Sequence, residues 1–376
     1  MAGLYLHIPF CKQKCHYCDF HFSVSRRQMP EMIQAMKKEL ALRKDELSER
    51  IETIYFGGGT PSLLQERDFQ ELFEVIYKYY RLGDDPEITV EANPDDLDIA
   101  KIKLLQDLSF NRLSIGIQSF HDSELQMMNR VHTAKEAAYA VLRAQDAGFQ
   151  NMTIDLIYGM PESNDSKWYY NLDKFRQLQI PHLSSYALTV ESKTVLDHLI
   201  KTKKMTPVDE QLAYQQFHSM RIFMLQNGYE HYELSNYALP GYQSRHNVSY
   251  WQERPYLGIG PSAHSFQGTT RSWNVSNNAQ YIKQLEKGTL ALEREQLSQT
   301  DRYNEYIMTG LRTKWGVNLF KIESDFGMDF KNYFENGVLK YLENKQLLRI
   351  SSNEIIVNPE FYFSIDGIVA DLFWVG

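Results

Sequence analysis

The stretch that decides the fold runs Leu4-Tyr-Leu-His-Ile-Pro-Phe-Cys11-Lys-Gln-Lys-Cys15-His-Tyr-Cys18-Asp-Phe20. It begins with a short apolar run, residues 4–8, of the kind that forms a buried strand, and continues into a polar loop that carries three cysteines. The chain of 376 residues has no other cysteine. An odd number at spacings of four and three argues against a disulfide framework and indicates thiolates that share one metal centre.

Two kinds of metal centre fit this spacing equally well. Three thiolates on a cubane iron–sulfur cluster leave one iron without a protein ligand, and that iron can bind a small molecule. A structural zinc site would instead take His16 or His21 as its fourth ligand and close a tetrahedron. Inert buried cysteines are a poor third explanation, because the flanking residues are so polar.

The first half of the chain alternates apolar, β-branched runs with amphipathic stretches. Such strand–helix units predict parallel strands joined by right-handed crossovers. A closed eight-stranded barrel needs roughly 250 residues, and six units fit before residue 190, so the predicted fold class is α/β with a partial (β/α)6 barrel. The predicted strands are 4–8, 53–56, 87–91, 112–117, 151–157 and 182–188, and the predicted helices are 30–47, 65–80, 94–108, 135–147 and 167–178.

The regular alternation of strands and helices ends at about residue 190, and the sequence predicts three regions. Residues 1–190 form the partial barrel, 191–289 complete it, and 290–376 form a mainly helical C-terminal domain with one small hairpin near 347–357. The middle region contains a helical pattern at 209–227, an aromatic stretch from Tyr229 to Trp251, and a glycine-rich segment that ends at His264.

Polar residues follow the predicted strands at the end where barrel folds gather their active sites. Each of them alone is more typical of a cap or a turn. Together they predict a polar ring around the cysteine loop, and therefore a binding or catalytic site. The ring consists of Gly57, Gly58, Gly59, Thr60, Glu91, Asn93, Gln118, Asn129, Arg130, Asp155, Ser185 and Ala187.

Composition narrows the class of protein further. Hydrophobic residues make up 43% and charged residues 23%, which is typical of a globular chain and excludes a disordered one. The net charge of −8 argues against a nucleic-acid partner. The chain starts without the basic and apolar segments of a signal peptide, and no run of 18 apolar residues predicts a membrane span. We expect a reduced, cytoplasmic location.

The cysteine loop and partial barrel resemble the radical S-adenosylmethionine superfamily, whose hallmark is CxxxCxxC after the first strand. The runs HIPFCKQKCHYCDF, GGGTP, VEANP and DLIYG are more narrowly similar to the oxygen-independent coproporphyrinogen III oxidase family, over nearly the whole chain. This resemblance implies a 4Fe–4S cluster on Cys11, Cys15 and Cys18. It implies a first S-adenosylmethionine beside Tyr5, Gly58 and Glu91, and a second beside Tyr17, Gly59, Thr60, Gln118, Arg130, Asp155 and Ala187.

Three departures from the oxidase are typical of its relative, the HemW-type haem chaperone family. Phe20 stands where the oxidase has a further cysteine, only ten residues precede Cys11, and His264 replaces an aliphatic residue. The segment HNxxYW also resembles that family's proposed haem motif, which implies haem contact by His246, Asn247, Tyr250 and Trp251. His231 and His264 are the other candidates for the iron. Without the resemblance, a self-packed aromatic loop is the simpler interpretation of this segment.

The expected function is therefore that of a haem chaperone with a 4Fe–4S cluster, exchangeable S-adenosylmethionine and haem as its cargo. An acceptor protein for the haem is implied but not identified, and peripheral membrane contact is compatible with the sequence. The alternatives are a coproporphyrinogen III oxidase or dehydrogenase, and another radical enzyme on a different substrate. Enzymatic activity stays an open question at this point, with the oxidase reaction disfavoured by the three departures.

Overall fold

The computed structural model describes residues 2–342 and 347–375. Six consecutive parallel strands, each hydrogen-bonded to the next, form the centre of its main sheet. The predicted partial α/β barrel with six strand–helix units is thereby confirmed. These strands are β1 (Ala2–Ile8), β2 (Ile51–Gly58), β3 (Leu82–Ala92), β4 (Arg112–Gln118), β5 (Met152–Tyr158) and β6 (His182–Ala187).

Helices between these strands bury one apolar face against the sheet. In the second helix the buried residues Phe69, Leu72, Phe73 and Ile76 recur at helical spacing, and Phe69 and Phe73 pack on Phe56 of β2. Such burial stabilises the layer by about 2 kcal/mol for each large apolar side chain. The helices are α1 (Met29–Leu42), α2 (Glu66–Tyr79), α3 (Ile99–Asp107), α4 (Asp122–Met127), α5 (Ala134–Asp146) and α6 (Asp165–Gln177).

Three helical predictions were wrong in their bounds or number. The helix predicted at 30–47 ends at Leu42, five residues early. The helix predicted at 94–108 is a short 3-10 turn followed by α3, because the Asp98 side chain accepts a hydrogen bond from the backbone N–H of Lys101 and caps a new helix there. Helix α4 was not predicted at all.

The region 191–289 adds strands to both edges of the sheet. On one side the antiparallel strands β7 (Glu230–Glu233) and β8 (Asn236–Ala238) follow β6. On the other side β9 (Tyr256–Ile259) pairs parallel with β1, so seven strands run parallel. The remaining strands of this region are β10 (His264–Gln267) and β11 (Thr270–Asn274), and its helices are α7 (Val195–Lys201), α8 (Glu210–Gln226), α9 (Arg245–Trp251) and α10 (Asn278–Glu286). β12 (Leu292–Gln296), just beyond residue 289, forms the edge of the same sheet beside β11.

The C-terminal region is mainly helical and contains the predicted hairpin. A small three-stranded sheet packs among the helices, and its core continues the core of the main sheet. Within residues 2–342 and 347–375, no helix is both long and apolar enough to span a membrane. The elements are α11 (Gln299–Leu311), β13 (Val317–Asn318), α12 (Leu319–Phe326), α13 (Met328–Leu342), β14 (Leu348–Ser351), β15 (Glu354–Val357) and α14 (Ile365–Asp371).

Candidate functional site

The carboxyl ends of the parallel strands bring the predicted site residues to one end of the sheet. Ile8, at the end of β1, lies beside Gly58 of β2, and the cysteine loop follows directly. Tyr158 of β5 pairs with Ala187 at the end of β6. Gln118 ends β4 in a left-handed conformation (φ 71°), where the register with β5 shifts. This end is where ligands bind in folds built from parallel strands.

Backbone hydrogen bonds on both sides hold the cysteine loop. The N–H of Cys11 donates to Ser23 O at 3.0 Å, and the N–H of His16 donates to Met128 O at 3.1 Å. The Asn129 side chain donates to Lys14 O at 2.7 Å. All three cysteines are free thiols and half-buried. The protein therefore presents three thiols on one fixed loop that is partly open to ligands.

The glycine triplet lies directly under this loop. A Cβ on Gly59 would lie 2.6 Å from the carbonyl oxygen of Phe10, the residue before Cys11. Gly58 has φ 103°, and a Cβ there would lie 2.6 Å from the His7 ring. Only glycine lets the two chain segments approach this closely. The GGG sequence thus serves close packing of the loop as well as an open cradle beside it.

The surroundings of Cys11 and Cys18 do not favour the charged thiolate form. Burial raises the pKa of Cys11 and of Cys18 to about 11, so the protein alone does not stabilise their thiolates. Arg130 lies beside the loop, with Nη1 3.3 Å from Cys15 Sγ. Within the part of the chain that the structure describes, no three His, Cys, Asp or Glu side chains are grouped around a single ion position. A metal centre bound to the loop would supply the positive charge that the thiolates need.

Glu91 links the glycine triplet to the interior of the sheet. Its Oε1 accepts from the Tyr55 hydroxyl at 2.9 Å, and its Oε2 accepts from the backbone N–H of Gly58 at 3.1 Å. Burial raises the pKa of Glu91 to about 7 and that of Asp155 to about 6. Glu91 on β3 and Asp155 on β5 are thus two carboxyls with raised pKa values, and such groups are typical of binding sites for ligands with N–H or O–H donors.

The other residues of the predicted ring lie close to the loop. Arg130 Nη2 donates to Asn93 Oδ1 at 2.6 Å and to Gly116 O at 2.8 Å, and the Asn93 amide donates to the Thr60 hydroxyl at 3.3 Å. Tyr17 packs on a small apolar cluster that includes Leu188, just after β6. The structure therefore brings Arg130, Thr60 and Tyr17, three of the seven residues predicted for the second cofactor position, to one side of the loop.

A cavity of about 620 Å³ begins at Gly58 and Glu91 and extends toward the β9–β11 segment. We call it the main cavity. Tyr5, Gly58, Glu91 and Phe20 line one wall. The opposite wall includes Tyr250, Tyr256, His264, Phe266 and Arg271. A pocket of this volume accommodates a small organic ligand or cofactor.

Sequence reasoning missed several residues of this cavity. Arg271 and Glu305 line it as an ion pair at 2.8 Å, and they come from a strand and a helix 34 positions apart. His21, which the sequence suggested only as a zinc ligand, also lines the cavity, with Nε2 2.7 Å from Asn278 Oδ1. In the sequence, Arg271 and Glu305 look like ordinary charged residues on the solvent-facing side of their elements. Nothing near either residue indicates its distant partner, so these contacts could not be predicted.

Comparisons with known proteins agree with this geometry. Residues 5–174 match the family model of the Radical SAM superfamily, and residues 297–360 match that of the HemN C-terminal domain. The heme chaperone HemW of Bacillus subtilis (strain 168) is 33% identical over 365 residues, which cover 96% of each chain. That of Lactococcus lactis subsp. lactis (strain IL1403) is 34% identical over 91% of this chain and 90% of its own. The chain belongs to the HemW family.

A solved structure supports the fold of this HemW-family chain. Coproporphyrinogen III oxidase (HemN) from Escherichia coli, a radical SAM enzyme, matches it with a TM-score of 0.86 over 99% of this chain and 90% of its own. At 23% identity this match concerns the fold alone. The resemblance drawn from the cysteine, glycine and HNxxYW motifs is confirmed at the level of the family.

The HNxxYW segment of this HemW-family chain forms α9, and its histidine lies in the core. His246 is 1% exposed. Its Nδ1 is 2.7 Å from the Thr53 hydroxyl, and its Nε2 is 2.7 Å from the Tyr250 hydroxyl. Both ring nitrogens are therefore engaged, and in this conformation neither is free to coordinate iron.

The other residues of the segment face two cavities. Tyr250 lines the main cavity, whereas Asn247 and Trp251 line a neighbouring cavity of about 320 Å³, which we call the second cavity. Tyr250 lines that one too. The four residues predicted to contact haem are thus divided between the core, the main cavity and the second cavity.

The two further candidate histidines differ in their access to ligands. His231 is buried, stacks on Tyr237 at 4.1 Å between ring centroids, and has Nε2 3.2 Å from Leu234 O. His264 is exposed and lines the main cavity. Among the described residues no side-chain or backbone group forms a hydrogen bond with the His264 ring. Of the three histidines, it is the one that a ligand in the main cavity can reach.

Proposed function

We propose that this protein is a haem chaperone: it binds haem in the main cavity and passes it to an acceptor protein. Membership of the HemW family supports haem binding and transfer. The cavity beside the cysteine loop supports the choice of the residues that would bind haem. We further propose a cytoplasmic location, which the three free thiols support. Peripheral contact with a membrane during transfer is compatible with this proposal.

The main cavity offers the contacts that haem requires. Tyr250, Tyr256 and Phe266 supply aromatic surface for a porphyrin face. Arg271 is the only lysine or arginine that lines the cavity in the described part of the chain, and it would pair with a propionate. A protein of net charge −8 needs such local contacts, because its overall charge repels an anionic porphyrin.

His264 is the proposed ligand of the haem iron. Its ring is accessible from the main cavity, and neutral imidazole is a common axial ligand of haem. In this proposal His246 acts through Tyr250, whose hydroxyl it holds at the cavity wall. Asn247 and Trp251 would contact haem only where an edge of the porphyrin extends past Tyr250 into the second cavity.

Cys11, Cys15 and Cys18 would hold a 4Fe–4S cluster, with exchangeable S-adenosylmethionine beside it. When bound, this pair supplies an electron and a cleavable sulfonium, which is chemistry of the cofactors. Glu91 can accept hydrogen bonds from ribose hydroxyls or an ammonium, and Tyr5 and Gly58 lie next to it on the same wall. Arg130 offers a guanidinium to a carboxylate, and its partner Asn93 donates in turn to the Thr60 hydroxyl. The second position that we propose is completed by Gly59, Tyr17, Gln118, Asp155 and Ala187.

The experiment combines cofactor content with haem binding. The protein is reconstituted with iron and sulfide without oxygen and then titrated with haem. We expect about four irons per chain, a brown colour, and haem binding near one equivalent. His264→Ala should shift the haem absorption band and weaken binding, whereas His198→Ala, an exposed histidine on α7, should change neither. Absent or unsaturable haem binding would reject the proposal, and colourless zinc-loaded protein would reject the cluster.

A radical enzyme remains the second candidate, because the ring of residues implied to bind S-adenosylmethionine is complete. The same reconstituted protein is incubated with coproporphyrinogen III and a reductant. Oxidative decarboxylation to protoporphyrinogen, with release of methionine and 5′-deoxyadenosine, would establish the dehydrogenase. Release of 5′-deoxyadenosine without porphyrin turnover would indicate a radical enzyme with a different substrate.

A further inference from the structure

The second cavity, about 320 Å³, lies where four elements meet. These are the end of β6, the turn between β7 and β8, α9 and α11. It shares Tyr250 and Thr309 with the main cavity and so lies on the other side of these two residues. Its lining residues are Tyr186, Glu233, Ser235, Asn236, Asn247, Tyr250, Trp251 and Thr309.

Two buried acceptors in its wall lack well-aligned hydrogen bonds. Glu233 is 2% exposed, and its Oε2 accepts from the backbone N–H of Ser235 at 3.3 Å. Its Oε1 forms no well-aligned hydrogen bond among the described residues, although the side-chain amide and the backbone N–H of Asn236 lie near the carboxyl. Oδ1 of Asn236, which is 4% exposed, has no partner there either. Buried polar atoms are nearly always paired, and leaving one unpaired is costly. The two oxygens therefore point to a ligand that carries hydrogen-bond donors.

The charge of the residues that line the second cavity indicates whether a ligand with hydrogen-bond donors would be cationic or anionic. In the described part of the chain, no lysine or arginine lines this cavity, so the carboxyl of Glu233 has no positive partner within it. An anion would meet acceptor oxygens and a like charge. A cation with N–H groups would satisfy both oxygens and compensate the carboxylate at once.

Aromatic rings around the two oxygens favour the same class of ligand. Tyr186, Tyr250 and Trp251 line the cavity, and the faces of such rings attract ammonium groups. A carboxylate combined with several aromatic rings is a recurrent arrangement for binding organic cations. The volume suits a ligand of modest size rather than a second macrocycle.

We propose that the second cavity binds an organic cation with a primary ammonium group, whose N–H donors pair with Glu233 Oε1 and Asn236 Oδ1 between the aromatic rings. This site is independent of the proposed cluster and of haem ligation, although it shares Tyr250 with the main cavity. In this proposal Asn247 and Trp251 of the HNxxYW segment contact the organic cation.

Three probes of the same shape test the proposal on the full-length protein. Benzylammonium, neutral benzyl alcohol and benzoate are titrated separately at pH 8 and followed by saturation-transfer NMR. We expect benzylammonium to bind at least tenfold more tightly than either of the others, which corresponds to about 1.4 kcal/mol. Glu233→Gln should weaken its binding at least tenfold. Glu253→Gln, which removes a carboxylate of the main cavity, should leave it unchanged.

Trp251→Leu is a second variant, which tests the same site if Glu233→Gln does not fold. It removes an aromatic face and should weaken benzylammonium binding severalfold. Equal binding of benzyl alcohol, or unchanged binding by both variants, would overturn the proposal. Preferential binding of benzoate would also overturn it, and would indicate a carboxylate pocket such as one for a haem propionate. Because these probes need neither haem nor cluster, failure here is distinct from failure of haem binding.

Discussion

Glu39 in the last turn of α1 and Arg43, the residue directly after this helix, form a buried ion pair with 2.9 Å between Oε1 and Nη1. The pair supports one wall of the main cavity. The same guanidinium donates to Gly258 O at 2.9 Å. The other carboxylate oxygen accepts from the N–H of Gly260 at 2.9 Å. The pair thus fixes the end of β9 and the turn that leads to His264, the proposed iron ligand.

Glu39→Gln should destabilise the protein by about 1–3 kcal/mol, because an amide nitrogen would replace one carboxylate oxygen and leave buried donors such as the Gly260 N–H unpaired. Glu46, 2.8 Å from Arg43, still compensates the guanidinium in this variant. The free energy of unfolding in urea measures this loss. A matched control lies on the same helix, where Lys37 pairs with Glu71 of α2 at 2.7 Å near the surface. Glu71→Gln should cost about 1 kcal/mol or less. Similar costs for the two variants would contradict the anchoring role of Glu39.

His246→Leu should separate a positioning role from iron ligation. The substitution leaves the Thr53 and Tyr250 hydroxyls without their partner, which should cost about 1–3 kcal/mol of unfolding free energy. Haem affinity should fall because Tyr250 is no longer held at the cavity wall, while the position of the haem absorption band stays that of the wild type. The comparison is His264→Ala, which should shift the band. A shifted band in His246→Leu would show that His246 reaches the iron after rearrangement.

Gly59→Ala should cost the protein its metal centre. The new Cβ would lie 2.6 Å from the Phe10 carbonyl oxygen and displace the backbone that leads into Cys11, at a cost of about 1–3 kcal/mol. Iron content after anaerobic reconstitution is the measurement. Gly241→Ala has a comparable cost, about 1–2 kcal/mol, since Gly241 has φ 86° and open space around it. The Gly241→Ala variant should retain its full iron content. If both variants lose iron, the loss comes from reduced stability and not from the displaced cysteine loop.

The local pattern of the sequence was sufficient for the order of strands and helices in the partial barrel. The resemblance implied that Tyr5, Gly58 and Glu91 share one cofactor position, and all three line the main cavity. What the sequence could not reveal were contacts between distant segments. Glu39 reads as one charge on an amphipathic helix, yet its partners include Gly260 and Asn274, more than 200 positions away. Haem contact by His246 was implied only by the resemblance, and its hydrogen bond with Thr53 agrees with the simpler interpretation of a self-packed segment.

Glu233→Gln should change how stability depends on pH. Burial raises the pKa of Glu233 to about 7 from an ordinary value of 4.5, so the folded protein holds this proton more tightly than the unfolded chain does. Its contribution to stability is then largest below pH 4.5 and is lost as the pH rises to about 7. Glutamine does not titrate. The unfolding free energy of the variant, relative to the wild type, should therefore rise between pH 4.5 and 7 by on the order of 2–3 kcal/mol and stay level above that.

Urea unfolding of both proteins at a series of pH values measures this difference. Other buried carboxyls, such as Glu91, titrate in both proteins, so their contributions cancel in the comparison. Glu286→Gln, at an exposed position in α10, is the control and should follow the wild-type curve with a constant offset. A difference between Glu233→Gln and wild type that does not vary with pH would mean that the carboxyl is charged at little cost. In that case a positive partner would already compensate it, and the second cavity would have no need of a cationic ligand.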